Sequence, residues 1–140
     1  MGESANYGPR ELAAGWFGNG DGDWATARMM LAHGGPFAPA CFHSQQAAEK
    51  WLKAFLIFHE RRFPYTCHLE KLVKLCGRAR PDVVLPQEGL AELSAYSVKA
   101  PYDLSFHPTP EVAARALELA EHIRQILVSS LPEDSRPPAL

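Results

Sequence analysis

The stretch from Cys41 to Phe58, CFHSQQAAEKWLKAFLIF, constrains the fold more than any other part of the chain. On a helical wheel at about 100° per residue, one wide arc is apolar and contains Cys41, Ala47, Ala48, Trp51, Leu52, Phe55, Leu56 and Phe58. The opposite face carries His43, Gln46, Lys50 and Lys53. An apolar arc this wide predicts a helix that packs against several neighbours, as the central helix of a bundle does.

Two polar residues, Ser44 and Gln45, lie inside this apolar arc. A buried hydroxyl or amide costs free energy unless it is hydrogen-bonded, so each side chain needs a partner there. One interpretation is a satisfied buried pair that fixes the packing. The other is that both side chains face a self-association surface or a ligand cleft.

The remaining periodicity predicts an all-α, up-down bundle of four to five helices, and no alternation typical of strands is present. Besides the central helix, which we expect to begin near residues 37–39 and to end near 59, helices are predicted at 24–32, 67–76, 86–98 and 110–130. We expect residues 1–20 to form a loose leader that can contain a short helix from Pro9. Residues 21–131 form the bundle, and residues 132–140 are expected to be a disordered tail.

Local signals place the helix ends. Glycines and carboxylates in 18–23 predict a turn, with Asp21 or Asp23 as the N-cap of the next helix. A calcium loop fits this segment less well, because the further oxygen ligands and the distal glutamate are missing. Thr66 is expected to cap the third helix, with Gly77 as its stop, and Thr109 is expected to cap the last one.

Composition narrows the classes of protein and site. No apolar run reaches the roughly 20 residues of a membrane span, so we expect none. Three cysteines and no signal peptide predict free thiols in a reducing, cytoplasmic setting, with Cys41 and Cys76 as small core residues. No histidine or cysteine has a ligand partner at helical spacing, so we predict neither a metal nor another cofactor.

Charge is unevenly distributed along the chain. The segment 50–80 holds eight basic and two acidic residues, whereas the rest holds six basic and fourteen acidic residues. A basic zone in an acidic protein indicates a phosphate or nucleic-acid surface. Equally, these side chains could only solvate helix faces, and the zone lacks interleaved aromatic residues of the kind that stack on bases.

Arg115 and His122 are the best candidates for catalysis. They are seven residues apart, about 700° on a helix, and therefore project from one face. An arginine that holds a phosphate and a histidine that moves a proton form a minimal pair for RNA cleavage. The alternative is a solvated helix rim on which both residues interact with neighbours such as Glu118.

The segment 42–54, FHSQQAAEKWLKA, resembles the central helix of HEPN (higher eukaryotes and prokaryotes nucleotide-binding) domains. Shorter segments agree in order at 23–25, 66–72 and 96–102. The resemblance implies a five-helix bundle, commonly a homodimer, often paired with a minimal nucleotidyltransferase in a toxin–antitoxin-like system that handles nucleotides. Some HEPN proteins are metal-independent ribonucleases with an arginine, four to six residues and a histidine, which Arg115 and His122 match at the outer limit.

On this resemblance we expect a homodimeric module that binds a nucleotide or a nucleotidyltransferase partner, with an RNA ligand as a further candidate. The alternatives are a metal-independent endoribonuclease and a non-catalytic helical scaffold. The residues expected to bind a nucleotide or anion are His43, Gln46, Lys50 and Lys53. Those expected at a cleft or dimer interface are Ser44, Gln45, Tyr96 and Tyr102.

Two segments depart from the family pattern. Related chains often read Arg-Tyr-Pro near the end of the fourth helix, where this one reads Pro101-Tyr102-Asp103 and lacks the positive charge. The family often has His-Asp-Leu at the start of the third helix, where this chain has Cys67-His68-Leu69. The histidine is therefore displaced by one residue, which turns it by about 100°.

Overall fold

The computed structural model describes residues 7–140, so the expectation of a loose leader lies outside the described residues for positions 1–6. The described chain contains five α-helices, a short 3-10 turn and no strand. The helices are α1 (Pro9–Ala32), α2 (Phe37–Phe58), α3 (Leu69–Ala79), α4 (Leu90–Tyr102) and α5 (Pro110–Ser130), followed by the turn at Glu133–Ser135. The predicted all-α bundle is confirmed.

Helix α2 is the centre of the bundle and packs against all four other helices. Trp51, Leu52, Phe55 and Leu56 are fully buried in the core. The wide apolar arc is confirmed, because each of its members is buried except the half-buried Phe58. The burial of so much of the helix surface reflects contacts with neighbours on several sides.

Helix α1 is continuous, so the turn predicted at 18–23 and the N-cap role of Asp21 or Asp23 are wrong. Gly20 is buried against α2, and a Cβ atom there would lie 2.6 Å from the Trp51 ring. This glycine therefore permits close helix packing rather than a turn. The aspartates have tertiary partners, since Asp21 accepts a hydrogen bond from the Trp51 indole (2.9 Å) and Asp23 lies against α2.

Helix α3 begins two residues later than predicted and runs through Gly77, the expected stop. The Thr66 hydroxyl accepts a hydrogen bond from the His68 amide (3.1 Å), so it organises the residues before the helix instead of capping it. The first helical amide, that of Leu69, donates to Ser94 Oγ at 2.9 Å. The start of α3 is thus fixed by α4, a contact distant in sequence.

Helix α4 is shifted toward the C-terminus relative to the prediction. It follows Gly89, whose φ of 84° is left-handed, and it continues through Pro101 to Tyr102. A proline this close to the helix end disturbs only the last turn. Gly89 also lies close to α5, because a Cβ atom there would be 3.2 Å from Leu119 Cδ2.

The C-terminal part begins with a cap that is confirmed, since Thr109 Oγ1 accepts a hydrogen bond from the Val112 amide at 3.2 Å. Residues 132–140, expected to be disordered, lie against α1 and α5. Arg124 donates to the Pro138 carbonyl (2.9 Å), and Arg10 pairs with Asp134 (2.9 Å). Backbone carbonyls and charged side chains hold this polar segment, which its composition did not indicate.

All three cysteines are free thiols, of which Cys41 and Cys76 are buried. Burial raises the pKa of Cys76 to about 12, and burial together with the Glu92 carboxylate raises the pKa of Cys41 to about 11. In the described residues, no helix combines the length and the apolar character that crossing a membrane requires.

Candidate functional site

A cleft of about 730 Å³ lies between α1, α2, the segment that precedes α3, and the end of α4. We call it the lysine cleft, because Lys50, Lys53 and Lys71 all line it. It also contains Gln46 and Tyr65. Three of the four residues predicted from α2 to bind an anion are thus brought together, whereas His43 lies outside the lining.

Asp23 of α1 joins His43 and Lys50. Its Oδ1 lies 2.8 Å from His43 Nδ1, and its Oδ2 lies 2.6 Å from Lys50 Nζ. The Asp23 side chain is mostly buried, while those of His43 and Lys50 keep about a third of their surface exposed. Lys50 is therefore held at the cleft by a carboxylate that neutralises part of its charge.

Lys53 is more deeply enclosed than its position on the wheel indicated. Only 7% of its side chain is exposed, and its ammonium group pairs with Glu49 at 2.8 Å. The same ammonium lies 5.6–5.9 Å from the ring centroids of Trp16, Phe63 and Tyr65. These cation–π contacts and the ion pair give Lys53 a structural role at the cleft floor, and its predicted role in binding an anion stays a prediction.

Ser44 and Gln45 are fully buried within the subunit. Ser44 Oγ donates to the Ala40 carbonyl (2.9 Å), and Gln45 Nε2 donates to the Cys67 carbonyl (3.0 Å) and to Glu49 (3.2 Å). Gln45 Oε1 accepts from Gln46 at 2.8 Å. The satisfied-pair interpretation therefore fits, since both side chains are buried and hydrogen-bonded within the described chain.

Tyr65 and Lys71 are among the exposed residues that line the lysine cleft. Lys71 forms no ion pair within 4.0 Å among residues 7–140. Tyr65 lies in the loop after Arg62, so its position beside the basic zone could have indicated that it belongs to the site. Trp16 had no such signal, because it reaches the cleft from α1, far from the basic zone in sequence.

A second cleft, of about 480 Å³, lies between α4 and α5. We call it the Arg–His cleft, because Arg115 and His122 both line it and are both exposed. Three carboxylates share this cleft, those of Glu88, Glu92 and Glu118. None of these five side chains forms an ion pair within 4.0 Å in the part of the chain that the structure describes.

Tyr96 forms part of the wall of the Arg–His cleft but is almost entirely buried. Burial, followed by the effect of the Glu92 carboxylate, raises the pKa of its hydroxyl well above the ordinary value of 10.0. The hydroxyl therefore stays protonated, and the ring stacks on Phe106 with centroids 5.4 Å apart. Tyr102 is 77% exposed at the end of α4 and lines neither cleft.

Residues 7–140 contain no cluster of three histidine, cysteine, aspartate or glutamate side chains that could hold a metal ion. The groups that line the two clefts are ammonium, guanidinium, imidazole, amide, phenol, thiol and carboxylate groups. Such groups can bind phosphate and move protons.

Comparison with known proteins assigns the chain to a family through one family model. Neither the curated proteins nor the solved structures produced a match. The family model described as the HEPN domain matches residues 13–131, which span all five helices except the first turn of α1. Since the matched part covers most of the chain and both clefts, the chain belongs to the HEPN domain family.

Proposed function

We propose that the protein is a nucleotide-binding module whose ligand occupies the lysine cleft. The observation that carries this proposal is that Lys50, Lys71 and the exposed ring of Tyr65 line one cleft of about 730 Å³. Phosphate groups need positive charge and hydrogen-bond donors, and a base needs an aromatic face. The cleft offers both kinds of group side by side.

The phosphate end of the ligand would lie near Lys71, whose charge has no carboxylate partner. Lys50 and the Gln46 amide lie on the same cleft wall and add donors from α2. Asp23 holds Lys50 in position, so less side-chain entropy is lost when a phosphate binds, at the cost of a weaker field. Lys53 contributes through its ammonium group, which lies 5.9 Å from the Trp16 ring centroid at the cleft floor.

The test is a calorimetric titration with ATP, with adenosine as the ligand that lacks phosphate. We expect Lys71→Ala to weaken ATP binding about tenfold, because hydrogen bonds to charged groups contribute roughly 1.5–3 kcal/mol. Tyr65→Ala should weaken ATP and adenosine alike, by about 5- to 150-fold, since stacking contributes roughly 1–3 kcal/mol per base.

Matched controls come from the same chain. Lys99→Ala and Tyr7→Ala remove an exposed lysine and an exposed tyrosine outside the cleft lining, so ATP affinity should stay within about twofold of the parent protein. If ATP does not bind saturably at millimolar concentration, or if the control variants lose as much affinity as the cleft variants, the proposal is wrong.

A second candidate function is metal-independent RNA cleavage at the Arg–His cleft. It is favoured by the shared cleft of Arg115 and His122, which places a phosphate-binding group and a proton carrier together. The three nearby carboxylates weaken this candidate, because they repel the RNA backbone. For this reason the lysine cleft is the better site for a phosphate ligand.

The ribonuclease candidate is tested by incubating structured RNA with the protein in EDTA. Cleavage should disappear in both Arg115→Ala and His122→Ala. It should persist in Arg28→Ala and His33→Ala, which remove an exposed arginine of α1 and the exposed histidine that follows this helix. Equal background in all five proteins would exclude cleavage by this pair.

The quaternary partners implied by the family belong to the same proposal. We infer a homodimer that uses the end of α4, where Val98, Tyr102 and Leu104 are exposed apolar side chains. Light scattering after size exclusion should give twice the chain mass for the parent protein and a smaller mass for Tyr102→Lys. An unchanged dimer in that variant would exclude this surface.

Co-purification with a co-expressed minimal nucleotidyltransferase tests the second partner.

A further inference from the structure

The outer face of α3 carries a row of basic side chains that begins at the lysine cleft. Lys71, Lys74 and Arg78 are exposed, and at 100° per residue they fall within an arc of about 60°. The opposite face of the helix holds the buried Leu72 and Cys76. The three basic residues therefore form one stripe, which we call the α3 row.

The α3 row has no internal counter-charge. None of its members forms an ion pair within 4.0 Å in residues 7–140. Even Glu70, four residues before Lys74 on the helix, lies beyond that distance. The row thus differs from Lys50 and Lys53, whose charges are shared with Asp23 and Glu49. Its positive charge remains available to a ligand outside the protein.

The length of the row suits a chain of phosphates. From Lys71 to Arg78 the helix rises about 10 Å, at 1.5 Å per residue. A nucleic-acid strand carries roughly one phosphate per 3.4 Å of duplex axis, and flexible lysine and arginine side chains can adjust to a more extended strand. The three side chains can therefore contact two or three consecutive phosphates.

We propose that the α3 row binds the backbone of a single-stranded nucleic acid whose terminal or unpaired base occupies the lysine cleft. This inference rests on the proposed function and names its ligand class as a polynucleotide rather than a free mononucleotide. Tyr65 and Lys71 line the same cleft, so the stacking ring stands at the beginning of the row. That arrangement favours nucleic acid over an acidic peptide, because carboxylate side chains gain nothing from an aromatic stacking face.

The test compares a fluorescent single-stranded oligoadenylate of about twelve nucleotides with ATP, by anisotropy and calorimetry. We expect the oligonucleotide to bind at least about tenfold more tightly than ATP in low salt. Between about 50 and 200 mM salt, the slope of log K against log salt should be about −2, because each of three phosphate contacts contributes roughly −0.7.

The decisive variant is Lys74→Gln/Arg78→Gln, which leaves the lysine cleft intact. Its salt slope should become shallower by about 1.4, while its ATP affinity stays within about twofold of the parent protein. The matched control, Arg28→Gln/Lys99→Gln, removes two exposed charges elsewhere and should keep the original slope. Polyglutamate of similar length should displace the oligonucleotide poorly.

Three outcomes would overturn the inference and leave the proposed function intact. They are oligonucleotide binding no tighter than the binding of ATP, an unchanged salt slope in the double variant, and full displacement of the oligonucleotide by polyglutamate. The last would assign the α3 row to an acidic protein partner. If neither ATP nor the oligonucleotide binds, the inference and the proposed function are both wrong. Binding of the oligonucleotide alone, with the slope change, supports the α3 row and rejects the mononucleotide.

Discussion

The two clefts of this bundle hold similar groups under different constraints. In the lysine cleft, Lys50 and Lys53 pair with Asp23 and Glu49, and the partners lie on α1 and α2. In the Arg–His cleft, the basic groups of α5 share one cavity with three carboxylates, which come from the segment before α4, from α4 and from α5 itself, and no ion pair forms among them in residues 7–140. The first cleft is therefore fixed by the fold, whereas the second depends on flexible side chains at the surface.

Charged side chains can therefore lie close together in a cleft without being held by ion pairs, so proximity and pairing are separate properties. Removing a group that is tied by an ion pair inside the protein destabilises the fold, because its partner is left unpaired, and a tied group is less free to bind a ligand. An untied group contributes little to stability and keeps its full charge. Four measurements test this distinction between tied and untied groups.

The largest effect is expected on stability. Lys53→Ala leaves the Glu49 carboxylate without its partner in a largely buried place, which should lower the free energy of unfolding by about 3 kcal/mol. Arg115→Ala should change it by less than about 0.5 kcal/mol, because that side chain is exposed and unpaired. Urea unfolding measures both variants.

The control for Lys53→Ala is the double variant Glu49→Leu/Lys53→Met, which removes both charges and should recover most of the lost stability. Equal losses in Lys53→Ala and Arg115→Ala would contradict the distinction between the two clefts.

The next effect concerns the thiols. Cys67 is half-buried and lines the lysine cleft, whereas Cys41 and Cys76 are buried and their pKa values are raised to about 11 and about 12. In the folded protein at neutral pH, a chromogenic disulfide reagent should titrate one thiol rapidly, and all three after denaturation. ATP should slow the rapid phase, and Cys67→Ser should remove it. Rapid reaction of two or three thiols in the native protein would contradict the described burial.

A smaller effect, on ATP affinity, is expected when the Asp23 carboxylate that pairs with Lys50 is neutralised. Asp23→Asn keeps the shape of the side chain but frees the full charge of Lys50. At about 6 Å from a bound phosphate in a water-like dielectric, removing this carboxylate contributes roughly 0.7 kcal/mol, or about threefold tighter ATP binding. Glu92→Gln, in the Arg–His cleft, should leave ATP affinity unchanged. Weaker binding in Asp23→Asn would show instead that Lys50 needs its tether.

The smallest effect concerns His59, an untied polar group at the end of α2. Its Nε2 atom is buried and has no hydrogen-bond partner among residues 7–140, and its pKa is lowered from 6.5 by burial and then by Arg80 and Arg61. Because the folded state binds this proton less well than the unfolded state, stability present above about pH 6.5 is lost as the pH falls below it.

Replacing His59 by phenylalanine should remove this pH dependence and keep the packing against Phe55 and Phe58. Urea midpoints at about pH 7.5 and about pH 5.5 measure the change. An identical decrease in the parent protein and in His59→Phe would assign the pH dependence to other groups.

Sequence reasoning reached the fold through α2 and through Thr109. The apolar arc of α2 and the cap of α5 depend on neighbours within a few residues, so their patterns are visible in the chain. It failed at 18–23, where glycine and aspartate normally indicate a turn. There Gly20 admits the Trp51 ring and the aspartates bind side chains of α2 and α5, so tertiary contacts override the local preference.

For the candidate sites, too, spacing within one helix could be predicted, whereas contacts between distant segments could not. The spacing of Arg115 and His122 placed them on one face of one helix, and they do share a cleft. Spacing also predicted a common face for Lys50 and Lys53. It did not predict that Lys53 would be enclosed by three aromatic rings, since Trp16 and Tyr65 come from other parts of the chain.

Helix periodicity and capping act over a few residues, so the helical class, the central position of α2 and the family motif could be read from the chain alone. The tertiary structure alone decided which charges are tied and which are open. That outcome depends on whether a carboxylate from another helix lies within ion-pair distance, as Asp23 of α1 does for Lys50. For Lys71, Lys74 and Arg78 no such partner lies that near in residues 7–140, because their face of α3 points away from the core.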